Sequence, residues 1–411
     1  MAARVFIVLI IWLGLDFYFF QAIKTVTSNP KIHWTYWIVE TVMMAIAFYF
    51  FISGKFATAN PKMLNIVSGT MMILLIPKLF VAPVMLAEDV FRLVFAGFRW
   101  ITYLSSSPKY ADVTFLISRR KFLGYGVIGL AAIPFGGLLY GALKGKYQYT
   151  VRRVKLKFKD LPEAFHGFTI TQLSDIHSGS FDDETAVMKG VAMANAQKSD
   201  VIFFTGDLVN NKADEMLPWK KVFDKLEAPM GKFSILGNHD YGDYVSWESE
   251  ELKAKNLQQL KNTHGEIGFR LLLNENLKLE KNGQTISLLG VENWGLRGFH
   301  QYGDLNKALH GVAKNDFKIL LSHDPSHWEA QVLKHDEHIH LTLSGHTHGM
   351  QMGIEIPGFR WSPVQYIYKQ WAGAYQKDNR YIYVNRGFGF LGYPGRIGIW
   401  PEITVITLEK A

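Results

Sequence analysis

Five apolar runs in the C-terminal part of this 411-residue chain each end in polar residues that can bind a metal ion. The runs are residues 168–171, 201–204, 233–236, 319–321 and 341–343. Short runs rich in β-branched and aromatic residues are typical of buried strands. In open α/β sheets, sites form outside the carboxyl ends of the strands, so residues at these ends can converge although they span more than 170 positions.

The polar residues at these ends are of types that bind transition metals. They are Asp175, His177, Asp207, Asn238, His239, Asp240, His323, His346 and His348. Alternate side chains of an extended strand share a face, so Asp175 and His177 can point into one cleft. A carboxylate paired with an imidazole suits Zn, Mn or Fe better than an all-oxygen calcium site.

Each of these residues also has an ordinary interpretation. Asp207 can be a helix N-cap, Asn238 a turn former, and any single His a core residue bonded to a carbonyl. Taken one at a time, these interpretations would be favoured. Five ordered coincidences make a metal site the better hypothesis.

The ordered motifs resemble the signature of the calcineurin-like metallophosphoesterase family, in its membrane-tethered bacterial branch. The motifs are Asp-x-His at 175–177, Gly-Asp at 206–207, Gly-Asn-His-Asp at 237–240, His323, and Gly-His-x-His at 345–348. The resemblance covers about residue 154 to the C-terminus. It implies an α/β fold, arranged as a four-layer α/β/β/α sandwich, and two divalent metal ions.

The resemblance also implies a role for each motif residue. The first metal would be held by Asp175, His177 and His348, the second by Asn238, His323 and His346, with Asp207 as the bridge. His239 would protonate the leaving oxygen or stabilise the phosphoryl group, and Asp240 would orient its ring. Two positions depart from the pattern: Met350 replaces a Gly found in many relatives, and Asn210 replaces a frequent Asp.

Two arginines near the C-terminus are candidate substrate ligands. Arg386 and Arg396 lie in Arg-Gly and Gly-Arg pairs that resemble the closing segment of membrane-tethered relatives. Either guanidinium could bind a phosphate oxygen. Both could equally be surface salt-bridge partners.

The secondary structure expected around the motifs alternates between strands and helices. Residues 147–159 alternate apolar and basic side chains as an edge strand does, and residues 184–197 indicate a helix. A hairpin of residues 269–273 and 285–291 is expected around Asn282-Gly283, which makes the later sheet mixed.

The first 146 residues predict a membrane region, followed by a phosphoesterase domain at 147–411. The apolar runs 5–23, 34–52, 64–86 and 122–143 are each long enough to span a bilayer, although Pro77 and Pro83 should kink the third. Residues 90–104 carry two arginines among apolar residues. That segment is expected to lie in the interface as an amphipathic helix, a further crossing being too short and too costly.

The distribution of Lys and Arg places the catalytic domain on the exported face of a bacterial inner membrane. Six of these residues between Arg92 and Lys121 keep the segment before the fourth crossing cytoplasmic. Residues 118–123 also resemble a twin-arginine export signal, although their internal position is unusual and an ordinary positive flank explains them equally. Both interpretations export the domain.

Three ionisable residues lie within the apolar runs: Asp16, Glu40 and Lys78. Ionisable groups in hydrocarbon are costly and often mark function. Pairing of Asp16 with Lys78, with Glu40 near an interface, is favoured over a transport or signalling role.

Composition excludes several other classes of site. The chain has no Cys, which excludes disulfides, thiolate metal sites and Cys nucleophiles. Its net charge of +8 resides beside the apolar segments, which indicates a membrane flank and no nucleic-acid partner.

These features predict a membrane-anchored, dinuclear-metal phosphoesterase that hydrolyses phosphate mono- or diesters by metal-activated hydroxide attack. The expected partners are the lipid bilayer and a phosphoester substrate, an envelope or lipid-linked phosphodiester; the sequence leaves the oligomeric state open. The alternative is a membrane receptor or transporter whose exported domain binds a phosphorylated ligand without turnover. The full ligand set and the His239-Asp240 pair favour the enzyme.

Overall fold

The computed structural model describes residues 2–52, 61–105, 113–296 and 298–411. The chain divides into two compact units, residues 1–59 with 66–140, and residues 60–65 with 141–411. We call them the helical unit and the α/β unit. The domain boundary expected after residue 146 stays a prediction.

The helical unit is built from α1 (Ala2–Val26), α2 (Pro30–Ile52), most of α3 (Pro61–Ser105) and most of α4 (Val113–Leu143). Three stretches among the described residues are long and apolar enough to cross a membrane: Leu9–Val26, Met63–Phe98 and Lys121–Leu143. The crossing expected at 34–52 falls in α2, which is helical but lies outside these three. The four-crossing topology therefore stays a prediction, and two of its flanking charges, Lys55 and Lys109, lie outside the described residues.

The segment at 90–104 differs from expectation because it is continuous with α3. The helix runs for 45 residues through Pro77 and Pro83. Arg92 pairs with Glu88 four residues earlier at 2.9 Å, and with Asp89 at 3.3 Å. Pairs at these spacings support a helix, and they lie at the point where the sequence suggested a new element.

A buried ionic cluster joins α1, α2 and α3. Lys78 Nζ lies 2.6 Å from Asp16 Oδ1 and 2.5 Å from Glu40 Oε1, and all three side chains are buried. The predicted pairing of Asp16 with Lys78 is confirmed. Glu40, expected near an interface, belongs to the same cluster, so one ammonium group faces two carboxyl groups.

The α/β unit contains short helices and three sheets among its described residues. Its helices are α5 (Glu184–Asn195), α6 (Lys220–Phe223), α7 (Glu250–Glu266), α8 (Leu305–Ala308) and α9 (Ser326–Ala330). Its strands are β1 (Thr150–Phe158), β2 (Thr169–Leu173), β3 (Val201–Phe204), β4 (Lys232–Ser234), β5 (Arg270–Leu271), β6 (Glu275–Lys281), β7 (Gln284–Gly290), β8 (Lys318–Leu321), β9 (Leu341–Ser344), β10 (Ile354–Ile356), β11 (Phe359–Trp361), β12 (Gly373–Lys377), β13 (Arg380–Val384) and β14 (Glu402–Lys410).

The two large sheets are mixed and have six strands each. The first has the order β1-β14-β2-β3-β4-β5, in which only the β14–β2 pair is antiparallel. The second has the order β12-β13-β9-β8-β7-β6, with antiparallel pairs at its two ends. The edge strand expected at 147–159 is β1. Strands β10 and β11 form a separate hairpin.

Alternating side chains build the four layers. Phe203 of β3 and Ile319 of β8 belong to one core between the large sheets. The neighbours of Phe203 in β3, Ile202 and Phe204, pack on the opposite side with residues of α5 and α7. Leu320 of β8 likewise packs outward with residues of α8 and α9. The period of two therefore gives the order helix, sheet, sheet, helix, which is the arrangement that the resemblance implied.

The hairpin around Asn282-Gly283 forms, but its first strand is not residues 269–273. The strand that pairs with β7 is β6, and Lys281 lies opposite Gln284. A two-residue turn requires the residues directly before it to pair. Residues 270 and 271 form β5 at the edge of the first sheet instead.

Candidate metal centre

The predicted ligands come from strands of both large sheets. Asp175 and His177 follow β2, Asp207 follows β3, and Asn238 follows β4 in the first sheet; His323 follows β8 and His346 and His348 follow β9 in the second. The backbone N–H of His346 donates to Asp175 Oδ1 over 2.9 Å, which joins the two sets. The structure thus brings all the predicted ligand residues together, and all of them except the half-buried His346 are buried.

Five of these residues have left-handed backbone conformations. The φ angles are 51° at Asp175, 48° at His177, 62° at Asp207, 70° at His346 and 51° at His348. Such φ values are uncommon for residues with a side chain and cost about 1–3 kcal/mol each. Hydrogen bonds between the loops maintain them, since Asp175 N–H donates to the Gly206 carbonyl at 2.9 Å and His177 N–H to that of Asp207 at 3.1 Å. With these backbone conformations, the side chains of the five residues face one another.

The first group of donors consists of Asp175, His177, Asp207 and His348. One donor atom from each lies within 4.8 Å of all the others. His177 Nε2 lies 3.0 Å from His348 Nε2 and 3.5 Å from Asp207 Oδ2. His348 Nε2 is 3.2 Å from Asp175 Oδ1. Two carboxylates and two imidazoles at this spacing can hold one divalent ion.

The second group consists of Asp207, His323 and His346. His323 Nε2 lies 3.1 Å from Asp207 Oδ2 and 3.3 Å from His346 Nδ1. The Oδ1 atom of Asn238 is 2.8 Å from His346 Nδ1, so its carbonyl oxygen joins the same cluster. Asp207 is common to both groups, which is the position that the resemblance gives to a bridging ligand.

Burial and neighbouring charges shift the pKa values of the centre in different directions; at His323 the carboxylate of Asp207 outweighs burial and raises the pKa to about 10, so a metal ion would have to displace a proton there. Burial lowers the pKa of both His177 and His346, which leaves these imidazoles neutral. Burial alone would raise the pKa of Asp207, but the neighbouring His323 and His239 outweigh it and hold the pKa well below the usual range. His323 donates from Nδ1 to the Thr205 carbonyl at 2.7 Å, which directs Nε2 towards Asp207. Ionised carboxylates and directed imidazole nitrogens are the donor set that Zn, Mn or Fe would take.

His239 lies beside the two groups but is held differently from the expected arrangement. Its Nδ1 donates to the backbone carbonyl of Asn210 at 2.7 Å, so this carbonyl orients the ring. The carboxylate of Asp240 instead accepts backbone N–H groups of Asp207 at 2.9 Å, Leu208 at 2.8 Å and Gly237 at 2.8 Å. Asp240 therefore fixes the loop that carries Asp207. The exchange of Asp for Asn at 210 does not affect the His239 contact, because the contact uses the main chain.

Comparison with known proteins agrees with this geometry. Residues 168–350 match the family model "Calcineurin-like phosphoesterase", and residues 3–146 match "Probable Calcineurin-like phosphoesterase, transmembrane domain". The chain is 31% identical over 306 residues to "Uncharacterized metallophosphoesterase YkuE" of Bacillus subtilis (strain 168), a match that covers 72% of this chain and 98% of that protein. The chain belongs to the calcineurin-like phosphoesterase family.

Two further relatives have names that state an activity. "Phosphodiesterase YaeI" of Escherichia coli (strain K12) is 27% identical over 304 residues, which are 71% of this chain and 100% of that protein. "UDP-2,3-diacylglucosamine pyrophosphatase LpxG" of Chlamydia trachomatis is 26% identical over 286 residues, which are 56% of this chain and 81% of that protein. This calcineurin-like phosphoesterase is thus a metal-dependent phosphoric ester hydrolase with a transmembrane region, as the sequence predicted.

The two candidate substrate arginines of this phosphoesterase are both buried and paired with protein groups. Arg386 binds Glu402 at 2.5 Å and Glu355 at 2.7 Å. Arg396 donates from Nε to the Gly389 carbonyl at 2.9 Å, and its Nη2 lies 3.3 Å from His348 Nδ1. The expected phosphate contacts stay predictions, and the observed contacts are structural. Arg396 therefore contacts His348 at Nδ1, the ring nitrogen that does not face the donor group.

A cleft beside the metal centre contains residues that sequence reasoning did not single out. The cavity has a volume of about 400 Å³. It is lined by Asn238, Tyr241, Asp243, Tyr244, Asn293, Gly298, Phe299, His300 and Tyr302. Tyr244 OH lies 2.9 Å from Asn238 Nδ2. On another side of the centre, Tyr368 OH lies 2.8 Å from His346 Nε2. These tyrosines lie in loops without a local motif, so only tertiary structure identifies them.

Proposed function

We propose that the chain is a membrane-anchored phosphodiesterase that uses two divalent metal ions to hydrolyse an envelope or lipid-linked phosphodiester. The observation that carries the proposal is the position of Asp207, whose carboxylate is shared by the two donor groups. One site would be formed by Asp175, His177 and His348, and the other by Asn238, His323 and His346. A carboxylate is a natural bridge because its two oxygens carry several lone pairs. Both donor groups approach Asp207 at Oδ2, while Oδ1 accepts the backbone N–H of His239.

Two divalent ions, when bound, would supply a hydroxide near neutral pH and offset the charge on the phosphoryl oxygens. The remaining steps belong to the chain itself. Asn238 contributes a neutral oxygen, which limits the negative charge of the site so that an anionic phosphate can approach. The metal could be Mn, Zn or Fe.

His239 is assigned the transfer of a proton from the attacking water to the leaving oxygen, because burial lowers the pKa of this imidazole and leaves Nε2 without a proton of its own. Its Nδ1–H is fixed on the Asn210 carbonyl, so Nε2 is the nitrogen that is left to exchange a proton with substrate. The ring lies edge-on to His177, with ring centroids 5.0 Å apart, and therefore borders the first donor group. Tyr244 packs on its other side at 4.6 Å, beside the cleft.

The substrate class is supported by two independent features. The membrane region would hold the enzyme beside lipid substrates and raise their effective concentration. The chlamydial relative is named for a pyrophosphatase that acts on a diacylated nucleotide sugar, which is a lipid-linked phosphate compound. The charge bias of the first 146 residues supports an inner-membrane location with the α/β unit on the exported face.

The proposal is tested with the purified full chain, stripped with chelator and reconstituted with Mn or Zn. We expect hydrolysis of bis-p-nitrophenyl phosphate, abolished in Asp207→Ala because both donor groups lose a ligand. Asp336→Ala, at an exposed position, is the matched control and should behave as the wild type. Normal turnover in Asp207→Ala would refute the two-metal assignment, and ligand binding without turnover in the wild type would favour a receptor.

A further inference from the structure

The hairpin formed by β10 and β11 presents an apolar face to solvent. Ile354 lies opposite Trp361 and Ile356 opposite Phe359, so these four side chains share one face, which we call the hairpin face. Ile354, Ile356 and Phe359 are 49%, 58% and 52% exposed. Contiguous exposed apolar residues on a folded unit mark an interaction site more often than chance surface composition.

The opposite face of the hairpin is bound to the rest of the α/β unit by ion pairs and hydrogen bonds. Glu355 binds both Arg152 and Arg386 at 2.7 Å. Arg360 donates to the Ala372 carbonyl at 2.5 Å, and its guanidinium lies 4.9 Å from the ring centre of Trp371. Buried and part-buried ion pairs hold the strands in place, so the hairpin face points outwards as a fixed surface.

The base of the hairpin is joined to the end of the last membrane-span candidate. The span Lys121–Leu143 ends in residues that belong to the α/β unit. Within that unit, Arg396 N–H donates to the Gly141 carbonyl at 3.3 Å, and a Cβ at Gly141 would come within 2.7 Å of Arg396 O. The next residue, Ile397, exchanges hydrogen bonds with Gln351 at 2.8 Å and Gly353 at 2.9 Å, directly before β10.

The residues that flank the hairpin in the chain lie next to the metal centre. Met350, 46% exposed, is two residues from His348, and the loop after β11 includes exposed Tyr366 and Ile367 before Tyr368, which contacts His346. Exposed apolar side chains therefore occur before, within and after the hairpin, in a segment that begins beside His348 and ends beside Tyr368.

We propose that the hairpin face inserts into the surface of the lipid bilayer next to the point where α4 leaves it. The bilayer is the occupant because the hairpin is attached, through Ile397 and Arg396, to the residues that end the span. Aromatic and aliphatic side chains at the surface of a bilayer are typical of interfacial anchors. On the basis of the proposed function, the contact delivers a lipid-linked phosphodiester to the metal centre without full extraction from the membrane.

The test uses the natural absence of cysteine, which permits a single label in the full chain. Ile356→Cys carries an environment-sensitive fluorophore in nanodiscs of phosphatidylethanolamine and phosphatidylglycerol, a fraction of which bears a nitroxide on the acyl chain. Leu217→Cys is the matched control, since Leu217 is 53% exposed but lies in the helical segment Ala213–Trp219. We expect nitroxide to quench the label at 356 several-fold more strongly than the label at 217.

Equal quenching at the two positions would overturn the proposal. So would protection of position 356 from both nitroxide lipid and soluble iodide, which would mean that a protein or a second copy of the chain covers the face. The fluorescence readout needs no catalysis. It can therefore support bilayer docking even if the wild type hydrolyses no ester, an outcome that would refute the proposed function alone.

A second measurement links docking to substrate delivery. The double variant Ile356→Ser with Phe359→Ser should hydrolyse soluble bis-p-nitrophenyl phosphate at the wild-type rate, because neither residue contacts the donor groups. It should lose activity several-fold on a phosphodiester lipid embedded in the same nanodiscs. Unchanged activity on the embedded lipid would show that the hairpin face does not serve delivery.

Discussion

His239 is the residue at which metal binding and turnover should separate. Its Nδ1 is held by the main chain of Asn210, and its backbone N–H donates to Asp207 Oδ1 at 2.9 Å. We predict that His239→Ala keeps its metals but loses about 10²–10⁴-fold in kcat, because the proton for the leaving oxygen is no longer positioned.

The loss should be smaller for p-nitrophenyl esters than for alkyl esters, since a good leaving group needs less protonation. Steady-state kinetics on both ester types, with metal analysis of the same preparations, makes the comparison. Loss of metal in His239→Ala would show instead that the imidazole is a ligand.

His264 provides a pH dependence away from the metal centre. The side chain is buried on α7 with Nδ1 2.9 Å from Ser234 Oγ, and burial lowers its pKa to about 3. A folded-state pKa below the unfolded value means that stability is complete above about pH 6.5 and declines as the pH falls towards 3.

Between about pH 7 and about pH 5, the wild type should lose about 2 kcal/mol more stability than His264→Phe, which has no proton to gain. Chemical denaturation of both proteins at the two pH values measures the difference. The metal ligands titrate in both, so their effect cancels. Parallel losses in the two proteins would contradict the assignment.

At the level of elements, the turn after β9 depends on a glycine. A Cβ at Gly345 would overlap Ser174 Oγ and Asp175 Oδ2. Gly345→Ala should therefore displace Asp175 and lower both metal affinity and activity by at least about tenfold. Gly265→Ala is the control, since a Cβ there meets nothing within 4 Å. Metal titration and turnover of the two variants test this, and an active Gly345→Ala would contradict it.

The strand ends that carry the ligands were predictable because each couples an apolar run to a polar motif. Runs such as 201–204 and 341–343 became β3 and β9 with bounds within one residue. The prediction that residues 269–273 form the first strand of the hairpin was wrong, because it was based on the apolar character of this run and not on the position of the turn. A two-residue loop at Asn282-Gly283 requires the strand to end at Lys281.

Other features depend on contacts that no local pattern records. Asp240 could not be assigned from sequence to the backbone N–H groups of the Asp207 loop, because the two segments are over 30 residues apart. Tyr244 and Tyr368 reach the centre from loops. The exposure of the apolar side chains of β10 and β11 could not be predicted either, since an exposed apolar hairpin has the same sequence pattern as a buried one.

At the level of the whole molecule, the orientation of the chain in the membrane decides which substrates it can meet. The bias of Lys and Arg predicts that everything after Lys144 is exported. Alkaline phosphatase fused after Ala411 should then be active, and green fluorescent protein at the same position dark, with twin-arginine export blocked. The reverse pattern would place the α/β unit in the cytoplasm and exclude an exported substrate.

The central claim is that two metal ions share Asp207. Anomalous diffraction from crystals of the full chain loaded with Mn tests it most directly. We predict two anomalous peaks about 3.5–4 Å apart. One should contact Asp175, His177 and His348, the other Asn238, His323 and His346, and both should contact Asp207. A single peak, or two peaks without Asp207 between them, would contradict the dinuclear centre.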